Sequence, residues 1–475
     1  MFSHMASEND KEVRAKKAAA RPVTARSVAF NVLLRVESAD SYADVLLSRE
    51  AAGLSTRDAA FATELVYGTL RWLIKIDWII DAFSKIKTQK LEHDALTALR
   101  LGVYQLFFLG GVASHAAVGE SVELLGGAND KKRGFVNAVL RAADASKNSV
   151  NFPVLSKGPV KYISIVFSHP EWLVERWIAN YGVKDALEMC QANLRVPPTV
   201  ARVNTIYKDR AGLIEELGSA GIVARPTEYS PLGIEVLEKT WARLDTDDKR
   251  FYFQDEASQL VALLVAPKPG EIICDACAAP GGKATEMAEM MKDEGAVFAL
   301  DKNPSRLKTV EKLAKRFSLK SIRTVVADAV SFAFQPSLLP GKDAELPEFF
   351  DAVLVDAPCT GLGVIRRTPE IKYRKTEADI KRMATEQVRI LRNMAKLVRP
   401  GGRIVYSVCS IEPEETIEVA KAFLAENPEY AAENAAAFLP ASASGLITDE
   451  GFVKTLPHLH NTDGFFAARF SRKAG

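Results

Sequence analysis

The run DACAAPGGKATEMAEMM at 275–291 decides the fold. It continues a short apolar stretch, Ile272 to Asp275, and puts Gly281 and Gly282 where a strand gives way to a helix. Glycines at such a turn let a ligand approach the backbone, and the helix N-terminus favours negative groups. Apolar stretches of strand length follow at Ala296 to Leu300, Ile322 to Val326, Ala352 to Val355 and Ile404 to Val408. Helical stretches lie between them, notably Pro304 to Phe317 and Thr376 to Val398. This βα alternation predicts a Rossmann-like α/β domain over 251–475, built on a parallel sheet covered on both faces.

The acids at the strand ends narrow the ligand. Asp301 closes the second strand about 20 residues after the glycines, where a carboxylate accepts hydrogen bonds from ribose hydroxyls. Asp328 follows the third strand and Asp356 ends the fourth, so one rim carries three carboxylates. The loop does not read G-x-G-x-x-G, which sets nicotinamide dinucleotides aside. A sulfonium cation is compatible with acidic surroundings and a pyrophosphate is not, so S-adenosylmethionine is the expected cofactor.

Two cysteines share a setting. Cys359 lies in VDAPCTG and Cys409 in VYSVCSIEPEE, each just after an apolar strand-like run. A thiolate is the strongest nucleophile a side chain offers near neutral pH, and a second thiol nearby serves as base or resolving group. Spacing alone leaves their order open. Cys274 and Cys277 form a C-x-x-C, but no second pair or nearby histidine completes four zinc ligands, so no metal is expected. His458 and His460 read as isolated, solvated loop histidines.

The chain has 475 residues, enough for about three domains. With 48% hydrophobic and 26% charged residues it reads as an ordinary soluble protein. The net charge of +2 means that nucleic-acid affinity must come from local patches. Five scattered cysteines make no disulfide framework and fit a reducing cytoplasm. The beginning, MFSHMASENDKE, carries acids where a secretion signal has an apolar core. Leu101 to Gly119 is too polar for a membrane span and reads as a buried helix and turn.

Residues 1–22 form a basic tail without apolar periodicity. Residues 23–145 show helical spacing from Thr24 onward (Val28, Val32, Leu33, Val36), a capping box at Ser55 and Asp58, and little β alternation, which predicts an all-α domain. A helical connector over 146–195 and a small α/β module over 196–250 precede the last domain.

Several blocks resemble the Sun, or RsmB-type, group of RNA cytosine-C5 methyltransferases. They are CAAPGGK at Cys277 to Lys283, the acids Asp301 and Asp328, DAPCTGLGVIRRTPEIK from Asp356, and YSVCSIEPEE from Tyr406. ARSVAFNVLLRV and RGFVNAVLRA resemble the NusB-like RNA-binding domain of that group, and PPTVARVNT with FQDEASQ its connecting module. The family block usually reads TCS where this chain has Val408 before Cys409, and Ser where it has Thr360.

The resemblance implies methylation of carbon 5 of a cytosine in small-subunit (16S) rRNA, free or in an assembling particle, by a monomer. Cys409 is the expected nucleophile on carbon 6, and Cys359 acts in product release. The Pro-Cys thiol of DNA cytosine methyltransferases would nominate Cys359 instead. Asp356 is expected to hydrogen-bond the base at N3 and its amino group, and to sit beside the cofactor as well. Cys277, Ala278, Ala279, Pro280, Gly281, Gly282 and Lys283 cradle the methionine and ribose, Asp301 the ribose hydroxyls and Asp328 the adenine end, with Arg306 completing the set. Lys283 has two candidate partners, the methionine carboxylate and the catalytic carboxylate.

Arg366, Arg367, Lys372, Arg374 and Lys375 follow Cys359 closely and are expected to meet RNA phosphates, with Tyr373 as a stacking face. Lys131, Lys132 and Arg133 form a second patch. The competing class is a non-catalytic RNA-binding or assembly factor with a vestigial fold. Adenine N6 methylation is disfavoured, because direct amino-group attack needs no cysteine.

Overall fold

The computed structural model describes residues 23–38, 41–127, 130–237, 244–245, 247–333 and 348–474; the tail expected at 1–22 lies outside them. Two compact units divide between Val183 and Lys184.

The first unit has no strand among its described residues. Its helices are α1 (Ala25–Ser38), α2 (Ala43–Glu50), α3 (Thr56–Arg71), α4 (Leu73–Phe83), α5 (His93–Phe108), α6 (Ser114–Glu123), α7 (Asp130–Ala145) and α8 (Pro159–Val166). Thr24 caps α1, its hydroxyl accepting from the Ser27 N–H at 3.1 Å, and the Ser55 side chain caps α3. One face of each helix from α1 to α7 feeds a common core that includes Val32, Leu65, Ile80, Leu99 and Leu140. Leu101 to Gly119 spans the end of α5, a turn and the start of α6. No helix among the described residues is long and apolar enough to cross a membrane. α9 (Glu171–Asn193) is interrupted at Gly182, whose φ of 83° a glycine adopts without strain.

The second unit opens with a small module: β1 (Thr199–Val203), α10 (Arg210–Ser219), β2 (Ala224–Pro226), β3 (Gly233–Val236) and β4 (Phe251–Phe253). Its antiparallel sheet runs β2-β3-β1-β4, over a core of Ala201, Val203, Leu213, Leu217, Ile234 and Phe251.

The large sheet follows. Its strands are β5 (Ile272–Asp275), β6 (Ala296–Asp301), β7 (Ile322–Val326), β8 (Phe350–Asp356), β9 (Val398–Val408), β10 (Tyr430–Glu433), β11 (Val453–Thr455) and β12 (Phe465–Arg472). The order is β10-β12-β9-β8-β5-β6-β7, with β11 beside β12. β5 to β9 pair in parallel, but β12 is antiparallel to β9 and to β10, so the sheet is mixed. The parallel part expected from the βα alternation is β5 to β9, and β12 extends it in the antiparallel sense. β12 is buried from Phe465 to Phe470, so it fills an interior position that needs apolar side chains on both faces.

One face carries α11 (Glu256–Val265), α12 (Gly282–Met290) and α13 (Pro304–Arg316), packed through Val261, Met287 and Val310. The other carries α15 (Glu377–Ala395) and α16 (Ile417–Glu426), packed through Ile390, Leu391 and Phe423; a short α14 (Ile371–Arg374) precedes α15. Strand order reverses at β5 and β8, which opens a crevice at their carboxyl ends.

The small module is tied to α12 by a buried cluster. Arg202 of β1, 0% exposed, donates to Glu289 at 3.1 Å and Thr285 at 3.3 Å and faces Glu286 at 3.6 Å. Burial pushes the Glu286 carboxyl up to about 8 and Glu289 to about 7, against the pull of Arg202.

Candidate active site

The crevice is a cavity of about 470 Å³. Ala278 to Pro280, Gly282 and Lys283 line it from the loop after β5, Asp275 and Asp356 from two strand ends, and Pro197 to Val200 and Tyr252 to Gln254 from the small module. Gly281 has φ 112°, a left-handed conformation that keeps side chains away from this turn. A Cβ on Gly282 would stand 2.8 Å from the Tyr252 ring.

Asp275 was not singled out from the sequence, although it closes β5 as Asp356 closes β8. It is 1% exposed, and neither carboxylate oxygen has a hydrogen-bond partner among the described atoms. Burial, reinforced by Asp356, pushes its carboxyl up to about 7. A buried acid with both oxygens free is a receptor for a cationic or donor-rich ligand. Asp301 is 5% exposed, accepts from the Asn303 N–H at 2.8 Å and faces Arg306 at 3.4 Å. Arg306 donates to the Ala279 carbonyl at 2.9 Å, bracing the loop. Asp328 is exposed, and its carboxylate accepts from the Val330 N–H at 2.9 Å. Cys277 is half-buried in the loop, and burial raises its thiol; Cys274 is buried on β5. These residues fit S-adenosylmethionine: a glycine cradle of adequate volume, an unpartnered acid and a ribose-height carboxylate on one rim.

The two thiols meet. Cys359 Sγ and Cys409 Sγ are 3.2 Å apart, although each belongs to a different strand end. The hydrogen bond with Cys409, then burial, raises the Cys359 thiol well above its ordinary value. Asp356 accepts from Lys283 Nζ at 2.7 Å on one oxygen and from Ser407 Oγ at 2.7 Å on the other. Burial would lower the Lys283 ammonium, but Asp356 outweighs it and the net shift is upward. Lys283 also lies 5.1 Å over the Phe465 ring.

The expected RNA cations need correction. Arg366 has 3% side-chain exposure and donates to Asp463 at 2.6 Å and Asp255 at 3.3 Å. Lys372 is 0% exposed, near Cys190 of the same unit. Cations so enclosed cannot reach a phosphate. Arg367, 32% exposed, pairs with the same two acids but lines the cavity, and Arg374 is half-buried. In the first unit Lys132 pairs with Asp94 at 2.8 Å and Glu92 at 2.7 Å, Arg133 with Glu123, and Lys131 is exposed. The histidines are also corrected. Both are half-buried, His460 accepting from the Leu456 N–H at 2.9 Å and His458 lying within 4.8 Å of Asp185 and Glu188.

A doubly wound sheet with a glycine loop after its first strand and acids on the same rim defines a class I methyltransferase. The NusB family matches residues 23–145, a ferredoxin-like domain of the RsmF/B-like methyltransferases 169–241, and the 16S rRNA methyltransferases RsmB/F 262–471. A probable ribosomal RNA small subunit methyltransferase B of Bacillus subtilis is 35% identical over 463 residues, 95% of this chain and 100% of that one. The ribosomal RNA small subunit methyltransferase B of Vibrio vulnificus is 32% identical, over 94% of this chain and 99% of its own. Among solved structures, PH0851 superposes with a TM-score of 0.74 at 25% identity, covering 94% of this chain and 99% of that one. NSun6 from Pyrococcus horikoshii, solved with SFG, gives 0.54 at 23% identity, covering 64% and 99%, a likeness of fold. This chain belongs to the RsmB/F family of rRNA methyltransferases, enzymes that draw the methyl group from S-adenosylmethionine.

Proposed function

We propose that the chain methylates carbon 5 of a cytosine in small-subunit (16S) rRNA through a covalent cysteine adduct at carbon 6, acting as a monomer in the cytoplasm. The observation that carries this reading is the 3.2 Å contact between Cys359 and Cys409, beside Asp356 on the same rim. Carbon 5 of cytosine is a poor nucleophile, and methyl transfer to an exocyclic amine or a ribose hydroxyl has no use for a thiol pair.

S-adenosylmethionine, bound along Asp275, the 277–283 loop and Asp301, supplies the methyl group. Asp328 and Arg306 flank the adenine and ribose ends. Cys409 attacks carbon 6, which makes carbon 5 enamine-like. Asp356, held by Lys283 and Ser407, hydrogen-bonds N3 and the amino group and supports protonation of the ring as the adduct forms. The carbon 5 proton must leave before Cys409 is eliminated, and Cys359, 3.2 Å from the attacking sulfur, is placed to act in that release. Arg367, Arg374 and Lys131 are the retained candidates for RNA phosphates.

The test is a trapped adduct. Cys359→Ala incubated with unmodified 16S rRNA and cofactor is expected to accumulate a covalent protein–RNA species, and Cys409→Ala to form none. The reverse pattern would exchange the two roles. Absence of 5-methylcytosine from rRNA treated with the unaltered protein would sink the reading as a whole.

A further inference from the structure

The two cysteine loops meet at a third residue. Glu415 is 0% exposed, on the 3-10 turn Pro413–Glu415. One carboxylate oxygen accepts from the Thr360 N–H at 2.8 Å and from Gln387 Nε2 at 3.2 Å. The other accepts from the Ser410 hydroxyl at 2.6 Å and from the Thr360 hydroxyl. Thr360 directly follows Cys359, and Ser410 directly follows Cys409. A single acid therefore grips the residue after each cysteine.

Gln387 of α15 completes the grip. Its amide nitrogen donates to the Pro358 carbonyl at 2.9 Å, on the other side of Cys359, and its amide oxygen lies 3.0 Å from the Tyr406 hydroxyl. Tyr406 in turn donates to the Glu415 carbonyl oxygen at 2.5 Å. The Gly363 N–H donates to the Cys409 carbonyl at 3.1 Å, so the two cysteine loops are also joined through backbone.

We infer that Glu415 is a positioning residue of the methyl-transfer reaction, clamping the loops of Cys359 and Cys409 so that the thiols stay in contact. The inference rests on the two-thiol reading of the site. It does not require that the target be a cytosine. The thiols sit on loops after different strands, and a displacement of about 1 Å in such a constellation costs roughly 100-fold in rate. Removal of the acid also leaves the buried Thr360 N–H without its acceptor.

Oxidation by diamide measures the contact without RNA. The two thiols lose two protons and two electrons to diamide, which becomes the corresponding hydrazine, and one S–S bond forms. The full-length protein is expected to close the Cys359–Cys409 disulfide rapidly. Glu415→Ala is expected to slow closure by about 100-fold, with S-adenosylmethionine affinity within about twofold of the parent, because Glu415 lies outside the cofactor cavity. Glu415→Gln keeps an acceptor for the Thr360 N–H, and the two hydroxyls can turn to accept from its amide, so it is expected to fall between Ala and the parent. With rRNA, the variants are expected to lose kcat in the same order at unchanged KM for the cofactor.

If Glu415→Ala does not fold, Thr360→Val and Ser410→Ala take its place, each deleting one hydroxyl from the grip, with slower closure expected in both. Unchanged disulfide rates in the folded variants overturn the inference. Normal disulfide effects together with methylation of some other atom overturn the cytosine reading alone.

Discussion

At the scale of single residues, Asp275 is the most consequential group that the strand-end pattern offers beyond the expected acids. Its carboxyl is held near 7 by burial in a cavity shaped for a cationic donor. A sulfonium ligand favours the ionised form, so affinity for S-adenosylmethionine is expected to rise as pH increases through about 7. Proton release on binding follows from the same linkage, readable by calorimetry in buffers of different ionisation enthalpy. Asp275→Asn is expected to flatten that pH profile. Glu286 has the opposite relation to pH when stability is measured. Its folded pKa, about 8, lies above the model-peptide value, so the stabilisation is complete below about 4.3 and is lost as pH rises through 8. Thermal stability is therefore expected to fall from pH 6 to pH 9, and Glu286→Gln to reduce the fall.

At the scale of elements, the buried Arg202 joins β1 of the small module to α12, the helix that opens the cofactor loop. Arg202→Met leaves Glu286 and Glu289 without their cation. This is expected to lower the denaturation midpoint, most above pH 8, where both carboxylates are ionised. The elements themselves were largely legible. Gly281 and Gly282, the apolar runs and the caps at Thr24 and Ser55 are local signals, and local signals survive in a sequence. What joins elements was not. The run Arg366, Arg367, Lys372 reads as a phosphate-binding face, yet Asp463 and Asp255 lie 97 and 111 positions from Arg366. No spacing rule connects them. Glu415 was hidden for the same reason: its partners Thr360 and Gln387 are 55 and 28 positions away. β12 escaped because FFAARF has no clean alternation, its neighbours burying both faces.

At the scale of the whole molecule, a net charge of +2 gives no general attraction for rRNA, so binding must depend on local clusters. With Arg366 and Lys372 enclosed, α13 offers an alternative, presenting Lys308, Lys312 and Lys315 to solvent along one side. Reversing all three to glutamate is expected to lower the slope of log affinity against log salt by about 2–3, measured by filter binding, with cofactor affinity unaltered. β12 carries a last consequence, one of timing. It pairs with β9, the strand that delivers Cys409, and it brings Phe465 to the cavity just after Asp463 has engaged Arg366 and Arg367. As the chain emerges from a ribosome, both thiols are present well before the strand that completes their surroundings. A chain stopped at about residue 460 holds both thiols and lacks the strand that frames them, so it is expected to show no methyl transfer when assayed beside the 475-residue chain.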